Sequence, residues 1–344
     1  MRHDEIFLDT SRREGDLEAD EVIRIIVSGG SLKEFYRYLS FSWTVTAQSS
    51  SLPVVKDFLL RPAKLPMWYD EERLRRGQKF FKKYALEIMG LLGALSLPYC
   101  YAASPGNKAI YFTEKMKKSP GKRLTDTAHF IIEVMRENAL SEGGNGSFEI
   151  QKTRLIHALV RSFILSKTAW DSAWGMPVNQ EDMAGTNLAF SYIILRGMEQ
   201  SEFRISAEEK EDFLFAWRLI GHQLAIKEEL LPASLNEASM LEEAIRLRHF
   251  RKSEEGQLLT SELIEHYKVA FPRIAAYFVD SQIRYFIGPE VAELLGVKQH
   301  PWKDRIVSVM NDFRKKINRR FVNPYSYDIM FNNHLKLKKK YSEG

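Results

Sequence analysis

Two predicted helical segments carry polar side chains directly beside apolar stripes. In residues 122–134, Arg123 and Thr127 share a helix face with apolar side chains. In residues 153–164, His157 borders a second apolar stripe. An imidazole beside an apolar wall, faced by one guanidinium and one hydroxyl, suits a haem iron with a small polar pocket for oxygen. The periodicity alone does not single out haem.

His157 also has a plain structural interpretation. A histidine beside an apolar stripe is commonly a core residue whose polar atoms are satisfied. His222 lies in a similar pattern and is the alternative ligand. Arg154 and Arg161 flank His157 at i−3 and i+4, where they could hold haem propionates or pair with the acidic residues at 181–182.

The polar residues of the first segment have alternatives as well. Arg123 could pair with Asp126 or Glu133, and Thr127 could bond back to its own helix. Asp126, His129 and Glu133 also form a carboxylate–histidine cluster that could bind a divalent metal, although a solvated helix face fits this pattern better.

Other chemistries lack their sequence signatures. There is no Gly-x-Gly-x-x-Gly, phosphate-binding loop, His-Glu-x-x-His or Gly-x-Ser-x-Gly motif, and the paired Glu-x-x-His motifs of di-iron bundles are also missing. The single cysteine, Cys100, excludes an internal disulfide and a cysteine-based metal cluster, so a cytoplasmic location is the simplest expectation. No long apolar run follows the first charges, and we expect no secretory signal.

The positive charge of the chain is concentrated at its C-terminal end. Residues 311–344 hold nine Lys/Arg and three Asp/Glu, whereas the rest is nearly neutral. This distribution argues against a nucleic-acid-binding domain and predicts a solvated basic extension, with contact to an anionic membrane surface or an acidic partner as alternatives. Residues 88–107 carry no charge but include glycines and prolines, and they predict a buried helix ending near Pro98, not a transmembrane span.

Helical periodicity dominates the chain, and few runs alternate as strands do. Asn179 and Ser206 are predicted helix N-caps, and residues 48–68 are predicted to form a connecting segment. We therefore predict an all-α protein, with a single large helical domain over residues 15–310 and a basic C-terminal extension over residues 311–344.

Nine segments of the chain form a recognisable set, and they are Gly15-Asp-Leu-Glu-Ala-Asp20, Arg76-Gly-Gln78, Ser96-Leu-Pro-Tyr99, Arg123-x-x-x-Thr127, Arg154-Leu-Ile-His-Ala-Leu-Val-Arg161, Trp174-Gly-Met-Pro-Val-Asn-Gln-Glu-Asp-Met-Ala-Gly-Thr186, Trp217-Arg-Leu-Ile-Gly-His222, Glu229-Leu-Leu-Pro232 and Gly256-Gln-Leu-Leu-Thr260. With these residues the sequence resembles the catalytic domain shared by bacterial latex-clearing proteins (rubber oxygenases) and the oxygenase of fungal mycophenolic acid biosynthesis. The resemblance extends over about residues 15–285.

This resemblance implies a mainly helical fold that encloses haem b. The proximal iron ligand of the family corresponds to His157, and its distal arginine and threonine correspond to Arg123 and Thr127. In rubber oxygenases, dioxygen on the haem iron cleaves a carbon–carbon double bond of polyisoprene to carbonyl products. Asp126 stands where some rubber oxygenases carry a lysine that can occupy the sixth iron position, so we do not expect that capping here.

These arguments predict an iron-containing, haem b-dependent oxygenase that uses dioxygen on an unsaturated, isoprenoid- or lipid-like molecule. Because we expect no secretory signal, a small intracellular substrate is predicted in place of an extracellular polymer. Two other functions stay open, namely a haem protein without turnover, such as a sensor or carrier, and a haem-free protein that binds a hydrophobic ligand.

Overall fold

Helices joined by short connections make up the computed structural model, which describes residues 4–39, 46, 51–62, 64–117, 120–140, 144–318 and 321–342. Within these ranges the α-helices are α1 (Glu5–Ser11), α2 (Leu17–Ser28), α3 (Leu32–Leu39), α4 (Pro53–Leu59), α5 (Glu71–Lys83), α6 (Ala85–Leu91), α7 (Leu97–Ala102), α8 (Gly106–Lys117), α9 (Pro120–Met135), α10 (Asn145–Lys167), α11 (Gln180–Phe190), α12 (Tyr192–Gln200), α13 (Ala207–Gln223), α14 (Leu235–His249), α15 (Glu254–Ala270), α16 (Arg273–Tyr277), α17 (Val279–Leu294), α18 (Pro301–Asn318) and α19 (Ser326–Ser342). The same ranges contain a π-helix (Leu92–Ser96), two short 3₁₀ turns and no β-strand. The predicted all-α fold with one large helical domain is confirmed.

Polar side chains fix where several helices begin. Asn179 accepts a hydrogen bond from the backbone N–H of Asp182 at the start of α11. Ser206 and Glu209 form a reciprocal capping box at the start of α13. Both predicted N-caps are confirmed, because each is a local feature of its own segment.

The segment 48–68 contains a helix where the sequence predicts only a connection. α4 begins at Pro53, because a proline in the first helical turn needs no backbone hydrogen bond. Val55 and Phe58 of α4 are buried against α2 and α10. The prediction of a plain connecting segment is therefore wrong for α4.

α5 and α13 pack closely side by side in the core. A Cβ atom at Gly77 would collide with the backbone oxygen of Asp212, so glycine permits the close approach. The Asp212 carboxylate accepts hydrogen bonds from Arg73 at 3.0 Å and from Arg76 at 2.5 Å. The segment Arg76-Gly-Gln78 thus has a packing role.

The uncharged segment continues as a helix past the residue at which we expect it to stop. The π-helix ends at Ser96, and α7 begins at Leu97 with Pro98 in its first turn, where proline is tolerated. The expected stop near Pro98 is therefore wrong. Ala85–Ala102 is long and apolar enough to cross a membrane by length and composition, and 67% of it is buried inside the protein.

The C-terminal helices take part in the fold. α18 passes through the predicted boundary between residues 310 and 311. α19 contacts α6 and α9 and buries Met330 and His334. The Ser326 hydroxyl donates to Glu87 at 2.7 Å. The described part of the basic extension therefore packs on the helical domain.

Candidate active site

α9 and α10 carry the residues singled out from the sequence, and the two helices pack against each other. His157 lies in the middle of α10. Its Nδ1 atom is buried and has no hydrogen-bond partner among the described residues. Burial, aided by the nearby Arg161 charge, lowers the pKa of His157 to about 4. The imidazole is therefore neutral at physiological pH.

The arginines on either side of His157 pair with the acidic residues that begin α2. Arg154 donates to both carboxylate oxygens of Asp16, at 2.6 and 2.9 Å. Arg161 donates from Nε to Asp20 at 2.7 Å. A Cβ atom at Gly15 would lie 2.9 Å from Arg161 Nε, so the glycine makes room for the guanidinium. The segment 15–20 therefore holds the arginines of α10 in place.

Glu181 and Asp182 have other partners than the arginines of α10. Glu181 lies 2.9 Å from Arg248 and 3.0 Å from His249, and Arg12 bridges both acids at 3.3 and 3.0 Å. The alternative that Arg154 and Arg161 pair with these two carboxylates is therefore wrong. The sequence offers many carboxylates, and helix packing selects Asp16 and Asp20 for them.

Arg161 keeps one unused donor. Its Nη1 donates to the backbone oxygen of Val178 at 3.0 Å, but its Nη2 is buried without a partner. Arg154, in contrast, also bonds Gln151 and Glu18. That either arginine holds a haem propionate stays a prediction, and Arg161 has the free donor for it.

Arg123 belongs to a cluster with two tyrosines. Its Nη2 donates to the hydroxyl of Tyr101 at 2.6 Å, and the guanidinium lies 5.4 Å from the centre of the Tyr101 ring. Burial raises the pKa of Tyr267, the nearby Tyr101 adds to the rise, and Arg123 opposes it. The Tyr267 hydroxyl packs against Gly93 in the π-helix, where any Cβ would clash. The cluster therefore places a guanidinium and two phenols together.

Thr127 lies one turn from Arg123 on α9 and is partly buried. Its neighbour Thr125 bonds back to the Gly121 oxygen at 2.9 Å, whereas no hydrogen bond joins Thr127 to another described residue. The back-bonding alternative for Thr127 is therefore not realised in the described structure. No hydrogen bond among the described residues joins Arg123 or Thr127 to His157.

His222 lies in a different environment from His157. It lines a cavity of about 510 Å³ whose walls carry cations and carboxylates from the N-terminal segment, among them Arg13 and Glu14. Its Nδ1 lies 3.5 Å from Glu228, and its ring meets Trp68 edge-on at 5.8 Å. Gln151 and Arg154 of α10 line the same cavity, which therefore lies beside the helix that carries His157.

The carboxylate–histidine cluster of α9 is divided among separate partners. Asp126 is exposed and lies near Lys122, while Glu133 pairs with Arg136. The His129 ring stacks on His334 of α19, with centroids 5.4 Å apart. No group of three or more His, Cys, Asp or Glu side chains within the described ranges could hold a metal ion. The metal-site alternative therefore lacks support.

The donor atoms of α10 fit a haem group. A histidine that ligates iron must be neutral and must have an available ring nitrogen. Burial keeps His157 neutral. Carboxylates of the macrocycle need a cationic donor, and Arg161 Nη2 is buried without a partner. These two unsatisfied groups lie one helical turn apart. Other buried polar atoms among the described residues also lack a partner, Nδ1 of His249 and of His334 among them, so it is the pairing of a neutral imidazole with a guanidinium donor on one helix that fits the group.

Comparison with known proteins gives the class of the chain. Residues 82–316 match the family of the ER-bound oxygenase mpaB/B′/Rubber oxygenase catalytic domain, and the chain belongs to this family. Among individual relatives, it is 24% identical over 299 residues to the rubber oxygenase of Streptomyces sp. (strain K30). The matched region covers 85% of this chain and 73% of that protein. It also shares its fold with the solved structure of Latex Clearing Protein in the closed state, with a TM-score of 0.78, 22% identity, and coverage of 96% of this chain and 90% of that chain.

Sequence reasoning missed the tyrosine partners of Arg123 and the π-helix. Tyr101 counts in the sequence only as a polar interruption of an apolar run, and Tyr267 is far away along the chain. Gly93 was the available signal, since a glycine in an apolar helix indicates a close approach by another group. The sequence alone does not show that the approaching group is a phenol.

Proposed function

We propose that this protein is a haem b-dependent oxygenase that cleaves or oxygenates a carbon–carbon double bond in a hydrophobic, isoprenoid- or lipid-like small molecule in the cytoplasm. The observation that carries the proposal is the neutral, partly buried imidazole of His157 on α10, whose Nδ1 is buried without a hydrogen-bond partner. Membership of an oxygenase family supports it. The Streptomyces relative is by name a rubber oxygenase, which suggests an unsaturated hydrocarbon chain as the substrate class.

The residues of this chain have distinct roles in the proposed reaction. His157 would ligate the iron, and Arg161 would bind a propionate through Nη2. Arg123, fixed by its bond to Tyr101, would donate hydrogen bonds to the oxygen atoms of the substrates or products. Thr127 offers a neutral hydroxyl for the same purpose.

Bound haem would supply the iron that activates dioxygen. For cleavage, both oxygen atoms enter the products, so one alkene and one dioxygen give two carbonyl compounds and no further reductant is required. Tyr267 remains protonated, because burial raises the pKa of its phenol. The proposed site therefore offers neutral and cationic hydrogen-bond donors without a carboxylate base.

An absorption spectrum tests the cofactor assignment directly. Full-length protein expressed with added iron and haem precursor is expected to show a Soret band, which His157→Ala abolishes. His222→Ala is the matched control, since it replaces another partly buried helical histidine, and it should retain the band. Loss of the band in His222→Ala, with retention in His157→Ala, would move the ligand to the charged cavity and refute the assignment.

Oxygen consumption separates an oxygenase from a haem carrier or sensor. The holoprotein is supplied with unsaturated isoprenoids of increasing length and, as a control, with their saturated analogues. Turnover should require the double bond and fall by about 10²-fold or more in Arg123→Leu, with the Soret band retained. A haem-loaded protein that consumes no oxygen with any alkene would contradict catalysis and favour a carrier or sensor.

A further inference from the structure

α18 has an apolar stripe on its solvent side. With about 100° between successive residues of an α-helix, six side chains of α18 fall within an arc of roughly 100°. All six are exposed, and the most exposed is Phe313 at 65%. They are Trp302, Ile306, Val309, Met310, Phe313 and Ile317. These six residues are called the apolar stripe below.

The opposite face of α18 attaches the helix to the protein. Val307 is buried, and Asn311 exchanges hydrogen bonds with Gln282 of α17 at 3.2 and 3.3 Å. The exposure of the apolar stripe is therefore not a consequence of a loosely docked helix. An apolar patch of this kind on a protein surface generally marks an interaction site.

Basic residues flank the apolar stripe on both sides. On the helical projection, Arg305 and Lys316 border one edge and Arg314 borders the other. These three side chains are exposed, and none pairs with a carboxylate in the described part of the chain. Asp312, the acidic residue of α18 closest to the apolar stripe, pairs with Lys315 at 3.0 Å. The surface thus combines apolar side chains with uncompensated positive charge.

The apolar stripe continues onto the short helix α16. The rings of Trp302 and Tyr277 lie 5.6 Å apart, and Tyr277 and Ile274 of α16 are exposed. Tryptophan and tyrosine beside an apolar face are typical of proteins that lie at the membrane–water interface. A helix with an apolar face, basic edges and interfacial aromatics matches the pattern of helices that lie in the plane of a membrane surface.

We propose that α18 and α16 dock this protein onto an anionic lipid surface, with the apolar stripe among the acyl chains and Arg305, Arg314 and Lys316 at the headgroups. A protein partner would need apolar and acidic groups in a matching pattern, whereas an anionic bilayer provides both along any direction. The charge on the edges of the stripe therefore favours lipid.

The docking surface lies beside the C-terminal end of α15, and the last turn of this helix carries Tyr267. Phe271, just beyond α15, is half exposed, and its ring stacks on Tyr267 with centroids 5.3 Å apart. Tyr267 belongs to the Arg123 cluster. If the proposed function holds, a hydrophobic substrate dissolved in the bilayer enters along this aromatic pair. Lipid docking itself depends on neither haem nor turnover.

Vesicle co-sedimentation of the full-length protein tests the proposal. The protein is mixed with vesicles of phosphatidylcholine alone or of phosphatidylcholine with phosphatidylserine, and the bound fraction is measured. We expect binding to the anionic vesicles that weakens with added salt. The double substitution Val309→Glu with Phe313→Glu should lower binding at least about tenfold. Arg314→Gln and Lys316→Gln should each lower it by about fivefold, and only on anionic vesicles.

The control introduces the same charge at an exposed apolar residue elsewhere. Leu247 on α14 is 71% exposed, and Leu247→Glu should bind vesicles as the unchanged protein does. Tryptophan fluorescence gives a readout that does not depend on the charged variants. Anionic vesicles should shift the emission of the unchanged protein to the blue, and Trp302→Phe should remove the shift.

Three results would overturn the proposal. If the unchanged protein stays in the supernatant with anionic vesicles, it does not bind them, and docking is refuted outright. Equal binding by the Val309→Glu and Phe313→Glu protein would show that the apolar stripe is not the contact. A dimer that becomes monomeric in this variant, without any vesicle binding, would assign the surface to a second copy of the chain. None of these results bears on the Soret band of the holoprotein.

Discussion

Two histidines of this chain, one buried and one partly buried, lie in contrasting surroundings. His249, at the end of α14, has its Nε2 3.0 Å from Glu181 and 3.3 Å from Arg12. His157, in the middle of α10, forms no ion pair with any described carboxylate, and burial lowers its pKa to about 4. The Nε2 of the first imidazole is part of an ion-pair network that stabilises the fold, although its Nδ1 is also buried without a partner, whereas no hydrogen bond or ion pair to a described residue holds the second ring. The comparison teaches that partners, more than burial, distinguish a structural histidine from a candidate ligand.

Glu181→Ala should produce the largest effect, because the carboxylate is fully buried and joins His249 to Arg12 and Arg248. Removing it leaves buried cations without their partner, and we expect a loss of about 4 kcal/mol in the free energy of unfolding. Urea unfolding of the haem-free protein measures it. Glu72→Ala, which breaks an exposed pair with Arg75, should leave the midpoint unchanged. Similar midpoints for both variants would contradict a structural role for the His249 network.

The pH dependence of stability should report the uncompensated burial of His157. Its pKa is about 4 in the folded protein and about 6.5 when unfolded, so as the pH falls through 6.5 the unfolded chain takes up a proton that the folded protein does not, and stability decreases. Between pH 7 and pH 5, we expect the haem-free protein to lose about 2 kcal/mol from this residue. The pKa of His129 is also lowered to about 4, by burial above all, and adds a second decrease in the same range.

The two histidine contributions can be separated by substitution. His157→Leu and His129→Leu should each flatten the urea-monitored pH profile, and the lowered pKa of His334 should leave a further decrease in place. A His157→Leu profile identical to that of the unchanged protein would show that His157 titrates normally in the fold, and the contrast with His249 would then fail.

Gly15→Ala should disturb the ion pair that lies next to His157. The added Cβ would approach Arg161 Nε and Asp20 Oδ2 to 2.9 Å, so the guanidinium must shift. We expect a loss of about 1–2 kcal/mol in unfolding free energy and weaker haem retention. Thermal unfolding and haem transfer to an acceptor protein measure the two effects. Gly90→Ala is the control, because a Cβ there meets open space. Unchanged haem retention in Gly15→Ala would separate Arg161 from the cofactor.

His157→Leu should have the smallest effect on the fold itself. Replacing an unsatisfied buried imidazole with an apolar side chain removes no hydrogen bond, so the haem-free protein should change by less than about 1 kcal/mol at pH 7. His249→Leu breaks the contact with Glu181 and should cost about 2 kcal/mol. Urea titration of both variants compares them. A larger cost for His157→Leu than for His249→Leu would reverse the interpretation of the two sites.

The sequence by itself determined the all-α class and the starts of the capped helices, because caps and amphipathic periodicity are properties of neighbouring residues, whereas it missed α4 and the continuation of the helix past Pro98. Asn179 and Ser206 begin helices as expected, since their hydrogen bonds reach only three residues ahead. The apolar stripe of α18 is also visible in its periodicity. The sequence does not show which way that stripe faces, because this depends on the docking of α17 against the other side of the helix.

Only the tertiary structure decided the partners of the site residues. Arg154 bonds to Asp16 across 138 positions, and Arg123 bonds to Tyr101 on another helix. The sequence offers 45 carboxylates, and a charged group pairs with whichever one helix packing brings within reach. The same packing left His157 neutral and without a carboxylate. Local sequence thus determined where the capped helices begin, and long-range packing determined which polar groups are satisfied and which remain available to a ligand.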